Sequence, residues 1–222
     1  MEGERTEAKV YPKWLSYLAP QLIKVDRCKL AEKNNYYIFA SNGQPSIIDD
    51  HLPDAIEEVN VYQQYNYLVV CLDAEENEVA DKRGEVIECL SDKGLSLKNA
   101  KLEIVVQNRC LETWFLGNTR IYSRNPQNED LRKYTKHFDV STNDPELMPK
   151  HSDFEYHADF HLKYLKALFR EKGITYSKSN PRHVTEEHYI QELIKRTSNY
   201  NHLATLKRFL DFCTTINNGI QA

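Results

Sequence analysis

The sequence predicts an α/β fold, a doubly wound parallel sheet followed by a helical C-terminal appendage. Two apolar runs carry that expectation. Tyr67-Leu68-Val69-Val70-Cys71-Leu72 is continuous rather than alternating, and Leu102-Glu103-Ile104-Val105-Val106 is a second strand-like run. An unbroken apolar run reads as a strand covered on both faces, as in a parallel sheet. Segments of helical periodicity separate these runs by short connections, which is the alternation of a wound sheet. From about Tyr122 the pattern changes to polar loops and then helices. The expected division is therefore 1–120 as the α/β domain and 121–222 as a loop-rich, then helical, region.

In chain order, Thr6 is placed as the N-cap of a first helix with Val10, Trp14, Leu15 and Leu18 on its apolar face, ended by Ala19-Pro20. Tyr36–Ala40 reads as a short strand before the turn-rich Ser41-Asn42-Gly43-Gln44-Pro45. Ile48, Leu52, Ile56 and Val59 are at helical spacing over 47–62, and another helix is expected from about Asn77 to Leu90. Lys93-Gly94 breaks it. After the second apolar run, Leu111–Leu116 reads as a helix start. Three further helices are expected over about 154–171, 186–197 and 202–216.

A net charge of −4 over 222 residues gives no global sign of nucleic-acid binding, so such a role needs a local basic face. The five cysteines are odd in number, scattered and without a CxxC pair, which points to reduced thiols and a cytoplasmic protein. The first residues are acidic and polar, so no signal peptide is expected. No stretch is long and apolar enough for a membrane partner.

Acids mark the ends of the apolar runs. Asp73, Glu75 and Glu76 follow the first, and Glu112 follows the second. Open α/β sheets place ligands at the C-terminal ends of their strands, and carboxylates converging there hold Mg²⁺ against phosphate. Equally, acids there can simply begin the next helix, where the helix dipole favours them. Both readings stand for the Asp73 group and for Glu112. Glu7 reads as a solvated first-turn acid.

Glu2-Gly3-Glu4-Arg5-Thr6-Glu7, a helix, and a strand ending in Asp73-Ala74-Glu75 together resemble the Toprim fold of topoisomerases, primases and related nucleases. A narrower resemblance is to Toprim-like proteins of bacterial restriction and phage-defence systems. It extends over Glu112-Thr113-Trp114, Asp144-Pro145-Glu146, Pro149-Lys150 and Tyr176-Ser177-Lys178. The resemblance implies a metal-dependent nuclease with Glu2 as general acid/base and Asp73, Glu75 and Glu112 as ligands of Mg²⁺, for which Mn²⁺ can substitute. It implies nucleic acid (DNA or tRNA) as substrate, a toxic role in anti-phage defence, and an ATPase partner from the same operon. Two features depart from the family pattern: only Met1 precedes Glu2, where a first strand is expected, and Glu75 stands for a second aspartate. The alternative is a catalytically degenerate partner subunit of such an ATPase.

Lys163, Lys166, Arg170, Lys172, Lys178 and Arg182, interleaved with Tyr164, Phe169 and Tyr176, form a segment that could track a phosphate backbone. Arg120, Arg124, Arg132, Lys133 and Lys136 form a second basic set. His157 and His161 share a helical face but lack the HExxH glutamate, and His183 and His188 show no ligand spacing. Packing or solvent-facing roles are expected for all four.

Overall fold

The computed structural model describes residues 1–41 and 43–221. It is a mixed α/β structure, 53% helical, with two parallel pairs of strands. The elements are α1 (Glu7–Leu18), β1 (Ile23–Val25), β2 (Asn35–Tyr37), α2 (Leu52–Tyr62), β3 (Tyr67–Asp73), α3 (Val79–Asp92), β4 (Lys101–Gln107), α4 (Leu111–Phe115), α5 (Glu129–His137), α6 (His157–Glu171), α7 (Glu187–Tyr200) and α8 (Ala204–Gln221). The chain divides into two compact units. One comprises Met1–Leu72, Glu78–Val106 and the stretch from Asp211; the other comprises Asp73–Asn77 and Gln107–Leu210.

In the first unit, β3 and β4 pair in parallel, with Val70, Leu72, Ile104, Val105 and Val106 buried as their apolar runs require. α3 is fastened beside them, since Arg83 Nη1 donates to the Ile104 carbonyl. The expected helix over 47–62 begins instead as a π-helical turn, Ile47–His51, and becomes α2 at Leu52.

The sequence predicted a single parallel sheet that included Tyr36–Ala40, and here the structure differs. β2 covers only Asn35–Tyr37 and pairs with β1, not with β3. Phe39, Ser41 and Gly43 bond instead to the chain start: Met1 donates to the Phe39 carbonyl, Ser41 N–H to Met1 (3.0 Å) and Gly43 N–H to Glu2 (3.1 Å). Glu2 N–H in turn donates to Cys71 of β3 at 3.2 Å. Single hydrogen bonds stand here where a strand was expected.

The second unit is helical around a core that includes Trp114, Phe115, Phe160, Tyr164, Tyr189 and Leu193. α5 falls inside the region expected to be polar loop. Of its residues Leu131 is fully buried and Tyr134 half-buried in an otherwise charged segment; Asn128 caps it, its side chain accepting from Leu131 N–H at the helix start. Asp144-Pro145-Glu146 is a clamp on the last helix. Asp144 accepts from Leu203 N–H at 3.1 Å, and Glu146 accepts from Thr205 N–H at 3.2 Å.

Arg196 is 1% exposed and donates to the carbonyls of Ser141 (3.1 Å), Val140 (3.0 Å) and Asn143 (2.9 Å). Removing it leaves three carbonyls without these donors, that of Val140 in the interior. Arg196→Met is expected to cost roughly 3–5 kcal/mol, read as a lowered urea midpoint. A midpoint within error of the wild type would refute that role.

The five cysteines are free, and Cys71, Cys110 and Cys213 are buried. Among the described residues, no helix is long and apolar enough to cross a membrane.

Candidate functional site

In the second unit, the segment after β3 is tied to the segment after β4. Ala74 N–H donates to Gln107 O and Glu75 N–H to Arg109 O, both at 2.9 Å. The side chain of Arg109 returns the contact, reaching the carbonyls of Asn77 (3.0 Å) and Glu75 (3.3 Å). Both residues hold left-handed backbone, with φ of +53° at Glu75 and +73° at Arg109. Such conformations are disfavoured for side-chain-bearing residues and cluster at ligand sites.

This brace fixes where the acids go. Asp73 is half-buried at the end of β3, and Glu112 lies in the first turn of α4 at 2% exposure. Glu112 is held by Tyr176, whose hydroxyl donates to Oε1 at 3.0 Å, and by Lys178, whose Nζ lies 3.9 Å from Oε2. The Glu-x-Trp and Tyr-x-Lys segments, 64 residues apart at Glu112 and Tyr176, therefore meet in space. Burial pushes the Cys110 thiol well above its ordinary pKa, and the charges of Glu112 and then Asp73 push it further.

The remaining acids separate. Glu75 is exposed. Glu76 does not begin α3, which starts at Val79; it caps α6 instead, accepting from His157 N–H and His157 Nδ1, each at 2.7 Å. Burial acts to raise the Glu76 pKa, but the His157 bonds and the Lys150 charge outweigh it and hold the carboxyl below its ordinary range.

His157 and His161, set aside from sequence as packing or solvent-facing, line this region. His161 is fully buried, with Nδ1 2.7 Å from the Thr113 hydroxyl and Nε2 without a hydrogen-bond partner. No sequence signal foretold that arrangement, because it depends on α6 lying against α4.

The basic residues divide likewise. Lys178 joins Glu112. Arg120 is spent on Glu192, with Nε 3.1 Å from its Oε1. Lys163 is exposed on α6 and Lys166 is half-buried. Arg124 lines a cavity of about 270 Å³ with Tyr122, Asp139, Ser141 and Tyr164.

Glu2 belongs to the first unit and is well anchored there. Besides its backbone bonds, its Oε2 accepts from Gln44 Nε2 at 3.2 Å, and Gln44 Oε1 accepts from the buried Lys82 at 2.7 Å.

Asp73 and Glu112 offer hard carboxylate oxygens, the donor type that suits Mg²⁺. Compared with protein families, curated proteins and solved structures, the chain matches none.

Proposed function

We propose that this chain is a Mg²⁺-dependent phosphodiesterase acting on nucleic acid. The observation that carries the reading is that the segments following β3 and β4, which bear Asp73 and Glu112, are cross-braced by the Ala74–Gln107 and Glu75–Arg109 hydrogen bonds, with left-handed backbone at Glu75 and Arg109. Asp73 and Glu112 would hold the ion, with Glu75 offering a further carboxylate from the same loop. When bound, Mg²⁺ would supply charge neutralisation at the phosphate and a more acidic water.

The chain's own residues then have distinct tasks. Tyr176 orients the Glu112 carboxylate through its hydroxyl. Lys178, with its side chain 45% exposed, presents a cation to the phosphate beside Glu112. Lys163 offers a further contact along the nucleic-acid backbone. Glu2 is the acid/base that the Toprim resemblance proposes, and that resemblance also motivates the defence role and the ATPase partner.

The test is incubation of pure protein with plasmid, single-stranded DNA and tRNA, with Mg²⁺ or Mn²⁺ and with EDTA. Cleavage of at least one substrate, abolished by EDTA, is expected. No metal-dependent cleavage of any would sink the proposal. Millimolar Mg²⁺ should also raise the melting temperature, since the ion binds only the folded chain.

One observation favours a second reading. The Lys178 ammonium already approaches Glu112, as a lysine would if it replaced a metal in a silent subunit. Intact biological activity of Asp73→Ala would select that reading.

A further inference from the structure

Away from the carboxylates, three side chains at the start of α7 turn toward one another. His183 lies in the 3₁₀ turn Arg182–Thr185, Glu186 links that turn to α7, and His188 is the second residue of α7. Glu186 Oε2 is the shared neighbour, 4.0 Å from His183 Nδ1 and 3.4 Å from His188 Nδ1. One ligand atom from each residue lies within 4.8 Å of the other two. From these contacts we infer that His183, Glu186 and His188 form a zinc site with three protein ligands and a fourth position open to solvent.

The chemistry favours zinc over magnesium. Two imidazole nitrogens and one carboxylate oxygen suit a borderline cation, whereas Mg²⁺ demands oxygen ligands in an octahedron. A tetrahedral ion with bonds near 2 Å sets its ligand atoms about 3.3 Å apart. The Glu186–His188 edge is already at 3.4 Å. The other edges close by rotation of Glu186 and His188, whose side chains are 41% and 53% exposed.

His183 is the anchor. Its ring stands nearly perpendicular to Phe169 (5.3 Å between centroids, 89°) and to Tyr189 (5.7 Å, 81°). Both rings are buried, and the Tyr189 hydroxyl is fixed on the Phe115 carbonyl at 2.8 Å. A ligand held by packed neighbours loses little freedom on binding metal. All three ligands fall within six residues, so local backbone sets their spacing. The sequence hid the site because His183 and His188, five apart, do not share a helical face, and only the 3₁₀-to-α junction turns them together.

The site is independent of the proposed phosphodiesterase centre, and the experiment keeps the two apart. Zn²⁺ is titrated calorimetrically into the full-length wild type, Asp73→Ala, and His183→Ala/His188→Ala, each in millimolar Mg²⁺. One Zn²⁺ per chain is expected in the first two, with affinity reduced at least roughly a hundredfold in the double variant. Co²⁺ substitution should show visible absorption without a thiolate charge-transfer band. Wild type that takes up no Zn²⁺, a double variant binding as tightly as wild type, or a thiolate band would overturn the site. Should the double variant misfold, Glu186→Gln replaces it: a loss of about tenfold is expected, and unchanged affinity overturns the proposal.

Discussion

Asp73→Ala is expected to lower metal-dependent cleavage by on the order of a thousandfold with little change in melting temperature. Asp73 ends a seven-residue strand, and the next two backbone N–H groups are bonded to Gln107 and Arg109. Its carboxylate is therefore placed by the sheet and the brace beyond it, with no reorganisation needed. Glu112→Gln is expected to be as severe, because Glu112 is buried and held by Tyr176 and Lys178. Glu75→Ala is expected to cost less, since Glu75 is exposed. Glu2→Ala tests the acid/base role that the Toprim resemblance proposes, on a residue whose backbone is bonded to Cys71 and Gly43 and whose carboxylate is bonded to Gln44. Cleavage assays on the four variants check the order. A fully active Asp73→Ala protein would end the phosphodiesterase reading.

The second large effect is on stability in acid. Burial, and then the charges of His157 and Arg109, lower the His161 pKa from 6.5 to about 3. The folded chain thus excludes a proton that the unfolded chain binds. His161 stabilises fully above pH 6.5, and its contribution is lost as pH falls toward about 3. The loss should reach roughly 2–3 kcal/mol by pH 4.5. Other titrating groups cancel when wild type is compared with His161→Gln. That variant is expected to be less stable at pH 7.5 and to close or reverse the gap by pH 4.5. A stability difference that stays constant across this range would show that His161 is not held neutral by burial.

Strand and helix identities were largely legible in the sequence, because they follow from periodicity. The runs at 67–72 and 102–106 are parallel partners, and the helices expected at 154–171, 186–197 and 202–216 appear as α6, α7 and α8 with shifted ends. α5 is missed because its strongly charged composition reads as loop, although Leu131, Tyr134 and Phe138 recur at helical spacing. The partner of the Tyr36 strand was not legible either, since it is β1, a three-residue strand too short to show a pattern.

The sequence by itself determined the residue types available for chemistry: acids at the ends of apolar runs, a Tyr-x-Lys segment, and paired histidines. Tertiary structure decided which of them meet. It set Glu112 against Tyr176 and Lys178, sent Glu76 to cap α6, and turned His183 and His188 onto Glu186. The physical reason is range. Periodicity and capping act over a few residues, whereas a buried carboxylate or imidazole takes its partner from whichever distant segment packing brings within hydrogen-bonding distance.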